Sequence, residues 1–519
     1  MSYIYGQART QSTIFALEDL IASDNEVRLV DMLVDKLYLE DISKFTLKGK
    51  SYTGRPAYHP VAMLKLFMYG YLNRISSSRR LAKECSRNIE LMWLINSLTP
   101  DFKTIADFRK DNAEAIKELS LKFKYMLCNQ GLISGELMAI DGTKLKANAG
   151  GKELTYDDLT ATLKDLEHEI NRYFELLRNN DQKEEMADEE SDDLSNAELI
   201  AAQIQELQAR QEKLQKLQSI AEQDKRKKVN PTDPESRMMK GRKESFDGYN
   251  LQIVVDSLFK LVASAQVKQT ANDLQEMIPA LEHLEESLGL VPGTMVADNG
   301  YENVADLQEL EAKGKTEVLV MGKDEKDGAK GFKKSNFTYD EAQDCYYCPL
   351  GNKLSLRGGT QKRKERFAYV YHCSQSVCRA CKHKAKCSKS KQGRTITRYT
   401  DENWVEAYRN RMQNPREKAL LRRRKAIVEH VFGVLKCWMG KIPLLLRGQA
   451  KVQTEIELYT TSYNLKRLIK LFGFDGVKNM IMSVTVPKEG FLSLFLALFL
   501  PKSRKRIKYP GCLGLCYAS

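Results

Sequence analysis

Nothing in this 519-residue chain reads as a membrane span or an export signal. The opening residues, Met1-Ser-Tyr-Ile-Tyr-Gly6, lack the basic-then-apolar layout of a secretory leader. The longest apolar run, Phe491 to Leu500, is about half the roughly 20 residues needed to cross a bilayer. Composition gives no sign of global disorder either, with 42% hydrophobic and 29% charged residues. The expectation is a cytoplasmic protein of two to four domains with no membrane partner. The surplus of positive charge, +13 with a pI near 9.0, favours a polyanionic partner.

Three acidic residues stand in distinctive settings. Asp141 ends the apolar run of Glu136-Leu-Met-Ala-Ile-Asp-Gly-Thr-Lys144, and Asp298 ends another in Gly293-Thr-Met-Val-Ala-Asp-Asn-Gly-Tyr301. Glu429 lies in a helical pattern, Arg422-Arg-Arg-Lys-Ala-Ile-Val-Glu-His-Val-Phe-Gly-Val-Leu-Lys436. A carboxylate at the end of a buried strand costs free energy unless a cation or donor satisfies it. Each acid also has a plainer reading, Asp141 and Asp298 as turn formers ahead of glycine and Glu429 as a partner for its basic neighbours.

Patterning along the chain favours one arrangement. Residues 1–132 read as a helical domain, in which Pro60 opens one helix and Ser76-Ser-Ser-Arg79-Arg80 caps a basic one. This resembles a helix-turn-helix, with an ordinary helical bundle as the alternative. Residues 133–150 hold the Asp141 strand, and 151–228 an antiparallel helical hairpin with an acidic tip. In residues 229–325, Tyr249–Asp256 and Lys260–Val267 read as paired strands. The stretch Asn272–Leu284 reads as a helix blemished by Pro279, followed by the Asp298 strand, a helix and a last strand. Residues 326–400 form a Cys-rich basic insertion, 401–473 the Glu429 helix region, and 474–519 an atypical tail. The order is that of an α/β ribonuclease-H-like core with two insertions.

In such a core the Asp141 and Asp298 strands are parallel neighbours about 4.8 Å apart. Two carboxylates roughly 4 Å apart repel by about 4 kcal/mol at an effective dielectric of 20. Divalent cations with oxygen ligands remove that conflict, and Mg²⁺ leaves room for phosphate and water. Two such ions would suit phosphodiester chemistry. Lys436 lies about two helical turns beyond Glu429, in place to hold a DNA phosphate.

In the second insertion, Cys345, Cys348, Cys373, Cys378, Cys381 and Cys387 include two C-x-x-C pairs. That is the grammar of structural zinc, with His372 or His383 as substitutes and reduced, packing-only thiols as the alternative. The expected subdomain is small and loop-rich. Around it run Arg357, Lys362 to Lys364, Arg366 and Lys382 to Arg398, with Phe367, Tyr369 and Tyr371 interleaved at strand spacing.

The chain resembles bacterial insertion-sequence DDE transposases of the branch with an N-terminal helical domain and a Cys-rich insert. The resemblance covers about residues 10–470. It rests on Gly54-Arg-Pro, His59-Pro, Ala139-Ile-Asp-Gly-Thr-Lys144, Gly248-Tyr-Asn-Leu-Gln252 with Asp256, Val296-Ala-Asp-Asn-Gly-Tyr301, Val428-Glu-His-Val-Phe-Gly433 with Lys436, and Tyr463-Asn-Leu-Lys-Arg467. It implies Asp141, Asp298 and Glu429 as a Mg²⁺-binding catalytic triad. It also implies inverted-repeat recognition by the N-terminal domain, hairpin or strand-transfer chemistry on double-stranded element and target DNA, and a nucleoid location. A homodimer in synapsis is what two-ended chemistry requires. In relatives a Tyr-x2-Arg-x3-Glu-x6-Lys signature surrounds the last acid; here Arg422 and Lys425 replace its first two members. Lys144, Arg79, Arg80, Arg422, Arg423, Arg424, Lys425 and Lys436 are the expected DNA contacts. Two rival readings are a DNA-binding remnant that has lost catalysis and a zinc-dependent interaction protein.

Overall fold

The computed structural model describes residues 15–38, 45, 56–150, 153–184, 193–241, 244–322, 332–363, 366–438 and 444–483. Gly54 and Arg55, most of the acidic hairpin tip, and the tail with its Phe491–Leu500 run lie outside the described residues. The fold is mixed α/β, and among the described residues no helix is long and apolar enough to cross a membrane.

Among the described residues, six α-helices precede the first strand: α1 (Glu26–Leu37), α2 (Pro60–Leu72), α3 (Ser78–Cys85), α4 (Ile89–Leu94), α5 (Phe102–Asp111) and α6 (Ala113–Asn129). Their starts follow from local chemistry. Asn25, Asn88 and Asp101 each accept a backbone N–H of the first turn, and Pro60 stands where its missing N–H costs nothing. Strand β1 (Leu137–Lys146) follows, then β2 (Leu154–Thr155) and the paired long helices α7 (Tyr156–Glu184) and α8 (Asp193–Gln223). Leu159, Leu166, Leu214 and Leu217 bury the hairpin's seam, and β3 (Lys228–Val229) pairs with β2 at its base.

The main sheet is completed by β4 (Arg237–Lys240), β5 (Ser245–Asp256), β6 (Val262–Lys268), β7 (Thr294–Ala297) and β8 (Glu317–Val320), with α9 (Met277–Leu288) and α10 (Val304–Lys313) as crossovers. The order is β4-β5-β1-β7-β8, with β6 also on β5. Strand β5 runs antiparallel to β1 and to β6, whereas β1, β7 and β8 are mutually parallel. Helix α9 begins five residues later than the pattern suggested. Pro279 therefore falls in its first turn, where it removes no helical hydrogen bond, and residues 272–276 are loop.

The second insertion differs from its expected loop-rich form. Strands β9 (Thr338–Asp340), β10 (Cys345–Tyr347), β11 (Lys353–Leu356), β12 (Gln361–Arg363) and β13 (Arg366–Cys373) form an antiparallel sheet. Short helices α11 (Gln375–Ala380) and α12 (Lys384–Cys387) precede β14 (Thr395–Tyr399), which pairs with β13. Phe337, Tyr346, Leu354, Tyr371 and Ile396 give this sheet a core of its own.

Helices α13 (Glu402–Arg411), α14 (Pro415–Gly433) and α15 (Gln449–Met482) close the chain, with a π turn over Val434–Trp438. Helix α15 joins the layers by packing against α1, α2, α6 and β6. Asn464 bridges it to β6 by accepting from the Val262 N–H at 2.8 Å and donating to the Val262 carbonyl at 2.9 Å. Its backbone kinks at Gly473, and the helix resumes with Val477 and Ile481 buried.

Candidate active site

Strand β1 sets the first acid. Asp141 lies mid-strand rather than at its end, because Thr143 and Leu145 continue the buried alternation beyond it. Its neighbour β7 runs parallel in a register that pairs Leu137 with Thr294 and Ala139 with Val296. Two residues further along each chain stand Asp141 and Asp298, at the same height where β7 gives way to a turn. The Asp298 Oδ1 accepts the Gly300 N–H at 2.7 Å, so that carboxylate caps the turn Asn299–Tyr301.

Burial pushes the Asp141 carboxyl above the usual carboxylate range; Arg424 opposes the shift and the negative charge of Asp298 adds to it. The Arg424 Nη1 donates to Asp141 Oδ2 at 3.1 Å from helix α14. Arg424, expected to contact DNA, instead points into the protein with its guanidinium buried. The reason is helical phase: Leu421, Arg424, Val428 and Val431 form the buried face of α14, the helix that packs on the sheet.

Glu429 is on the same helix, five residues or about 7.5 Å further along the axis, and is exposed. Arg422, Arg423, Lys425 and Lys436 are exposed as well. The Lys436 ammonium stands 4.9 Å from the centre of the Phe432 ring. The structure thus brings Asp141 and Asp298 together and lays the Glu429 helix across their strands. Among the described residues, no three His, Cys, Asp or Glu side chains are already gathered as a metal cage. The hard oxygen donors of Asp141 and Asp298 nevertheless fit a divalent cation, and a guanidinium now stands against one of them.

A further acid was invisible to sequence patterning. Asp273, in the loop before α9, accepts from Asn250 Nδ2 at 2.7 Å and Gln252 Nε2 at 2.6 Å. Tyr301, fully buried, donates to Gln252 Oε1. Burial raises the Tyr301 phenol well above its usual value, and the charges of Asp273, Asp141 and Asp298 raise it further. The available signal was Asn250 and Gln252, two polar residues at period two in the apolar middle of β5.

Of the other expected DNA contacts, Arg79 and Arg80 are exposed on α3, with Arg79 5.3 Å from the Phe102 ring centre. Lys144 reaches the Ala271 carbonyl. In the insertion Cys345 stands apart from four of the other cysteines. Cys373 belongs to the small core, and Cys348, Cys378 and Cys387 pack against it. Cys345 shares the opposite strand face with Tyr347. The Cys348 sulfur accepts the Asn352 N–H at 3.3 Å and the Cys378 sulfur the Arg394 N–H at 3.4 Å. Burial, a hydrogen bond with Cys378 and the nearby Cys348 and Cys387 push the Cys373 thiol up to about 12. All six are free thiols.

Residues 15–111 match the family described as transposase domain (DUF772), and residues 347–469 match a transposase DDE domain. The second match contains Glu429; Asp141 and Asp298 lie outside both. None of the curated proteins compared matches the chain. One solved structure, a piggyBac transposase synaptic complex with hairpin DNA, aligns over 92% of this chain and 87% of its own at 10% identity with a TM-score of 0.33, a likeness too distant to carry an argument. Both matches are to transposase domains, and together they support a DDE transposase with a function in DNA transposition.

Proposed function

We propose that this transposase cleaves DNA at the terminal inverted repeats of its element and joins the freed 3′-hydroxyls to target DNA, using Asp141, Asp298 and Glu429 as its metal-binding acids. The reading treats the main sheet as a ribonuclease-H-like core, supported by its β6-β5-β1-β7-β8 order with only β5 reversed among β5, β1, β7 and β8. The observation that carries it is the level placement of Asp141 and Asp298 on parallel neighbours beneath α14.

Two Mg²⁺ ions would activate the attacking water or 3′-hydroxyl and stabilise the leaving oxygen in line. The chain's own contribution is positional. Strands β1 and β7 fix two carboxylates from opposite sides of one strand gap, and Glu429, exposed on α14, would complete the set. Arg424 is the counter-charge to Asp141 in this structure. Exposed Lys425, Lys436, Arg422 and Arg423 are suited to neutralising phosphates around the cleft. Arg79 and Arg80 on α3 are suited to the repeat ends, and a homodimer would bring two ends together.

Structural zinc in the insertion is part of the same reading. The Cys348 and Cys378 sulfurs accept backbone N–H groups and pack with Cys373 and Cys387, four sulfurs being the number a closed structural zinc site takes. Cleavage of labelled inverted-repeat DNA in Mg²⁺ tests the main proposal. The parent protein is expected to cut, while Asp141→Ala and Glu429→Ala bind without cutting. Binding without Mg²⁺-dependent cleavage by the parent would instead mark a remnant, and absence of binding an interaction protein.

A further inference from the structure

Helix α15 carries a motif that the metal-binding reading does not use. In Tyr463-Asn-Leu-Lys-Arg467, Asn464 ties the helix to β6. Tyr463, Lys466 and Arg467, with Lys470 beyond them, instead recur at the three- and four-residue spacing of one helix face. That face lines a cleft of about 450 Å³, shared with His430 of α14, Val434 of the π turn and Glu26 of α1. Such a volume lies within the range of ligand-binding clefts.

Charge in the cleft is one-sided. Glu26 is its one lining carboxylate, and Lys466 pairs with it at 2.5 Å. Arg467 and Lys470 are left over, since among the described residues neither forms an ion pair with a carboxylate. Arg467 is also held in a fixed pose. Its Nε donates to the Phe259 carbonyl at 3.0 Å, and its Nη1 stands 3.5 Å from His430 Nε2. The Tyr463 hydroxyl lies 3.3 Å from the other nitrogen of that ring and donates to the Lys260 carbonyl at 2.8 Å. The Arg467 Nη2 has no partner among the described residues.

A second observation points to a missing anion. The His430 ring lies below its ordinary pKa first through burial and then through the charges of Arg467, Lys260 and Lys470, so three cations converge on one place. Like charges gathered in a partly enclosed site repel unless an anion joins them. Val434 and Ile469 make part of the wall apolar, and a low-dielectric wall with charge of one sign focuses the field on an incoming anion.

We propose that this cleft seats one phosphate of the DNA backbone, with Arg467 and Lys470 as its direct contacts and with His430 and the Phe259 carbonyl positioning the guanidinium. The planar fork of arginine takes two phosphate oxygens, and lysine adds a point charge. The proposal rests on the reading of the chain as a DNA-cutting transposase for the source of the phosphate. It adds a contact on α15, which supplies none of the DNA contacts expected from the sequence.

The test is the salt dependence of binding between the full-length protein and a labelled inverted-repeat duplex, read by fluorescence anisotropy. The variants are Lys470→Gln, Arg467→Gln/Lys470→Gln and, as a control of equal charge loss, Lys213→Gln/Lys216→Gln at exposed positions of α8. Each phosphate contact contributes about 0.9 to the slope of log K against log salt. The slope of the cleft double variant is expected to fall by about that amount, that of Lys470→Gln by less, and that of the control to match the parent. Lys470 is exposed, so its variant reads the cleft without disturbing the fold. An unchanged slope in the cleft double variant overturns the proposal, and so does an equal fall in the control, which would mark bulk charge only. Calorimetry with inorganic phosphate separates the sources. Phosphate binding that the parent shows and the cleft double variant loses, with the DNA slope unchanged, would assign the cleft to a free anion and overturn the DNA contact. If the cleft variants keep the parental slope while the parent cuts the duplex in Mg²⁺, this proposal fails and the main reading stands. A parent that binds no DNA takes both with it.

Discussion

Arg424 and Asp141 form a 3.1 Å ion pair that ties helix α14 to the central strand of the main sheet. Its side chains are only 8% and 20% exposed, so solvent screens the pair weakly. A positive charge is thus supplied by the protein where the proposed chemistry calls for a metal ion. Replacement by Arg424→Met leaves Asp141 without its counter-charge and is expected to cost about 2–4 kcal/mol in the metal-free protein, near the lower end of values for breaking a buried pair. Added Mn²⁺ should recover more stability in this variant than in the parent, because a ligand that binds the folded state stabilises it by mass action. Urea unfolding with and without Mn²⁺ reads both effects; equal gains in parent and variant would separate Arg424 from the metal site.

A second buried ion pair governs acid stability. Glu457 on α15 accepts from Lys124 Nζ at 2.7 Å and from Ser120 Oγ at 2.6 Å, both on α6. Burial alone would raise its carboxyl, but Lys124, Ser120 and Gln453 outweigh burial and hold it below the ordinary value. A carboxyl depressed in the folded state stabilises the protein above its unfolded pKa, about 4.3, and that contribution is lost as pH falls through the folded pKa. The stability gap between the parent and Glu457→Gln is therefore expected to be full near pH 7 and to close in acid. A gap that widens below pH 4 would contradict this account.

Pro279 offers a test of a helix start. Placed in the first turn of α9, it forfeits no hydrogen bond, so Pro279→Ala is expected to change stability by no more than about 1 kcal/mol, chiefly through the unfolded chain. In a helix interior the same exchange would gain about 3 kcal/mol. Thermal melting distinguishes the two.

For the cysteine sheet, elemental analysis is expected to find about one zinc per chain. Cys345→Ser should keep it, since Cys345 lies on the opposite strand face from Cys348, whereas Cys348→Ser and Cys378→Ser should lose it. A folded, metal-free parent protein would reject the zinc assignment.

Where local pattern and tertiary packing agree, the chain is readable before folding. The β5–β6 hairpin, the paired helices of the first insertion and the parallel β1–β7 neighbours all follow from periodicity and connection rules. Gly142-Thr-Lys reads as polar and predicts a strand end at Asp141, although Thr143 and Leu145 continue the buried face. Arg424 looked like one member of a basic run; only the phase of α14 on the sheet turns it inward. The cysteine sheet was hidden because its strands are short and rich in charge, so no single segment carries a clear alternation. Asp273 was hidden more deeply, since the Asn250 and Gln252 amides that hold it approach it only in three dimensions.

One cation shared by Asp141, Asp298 and Glu429 is the arrangement on which the proposed chemistry depends. Fe²⁺ placed in a Mg²⁺ site and supplied with ascorbate and peroxide releases radicals that cut the nearest polypeptide. Mapping the cuts by mass spectrometry should give three clusters, around Asp141, Asp298 and Glu429, all suppressed by excess Mg²⁺. Cuts near Asp141 and Asp298 with none in α14, or cuts indifferent to Mg²⁺, would contradict the shared site.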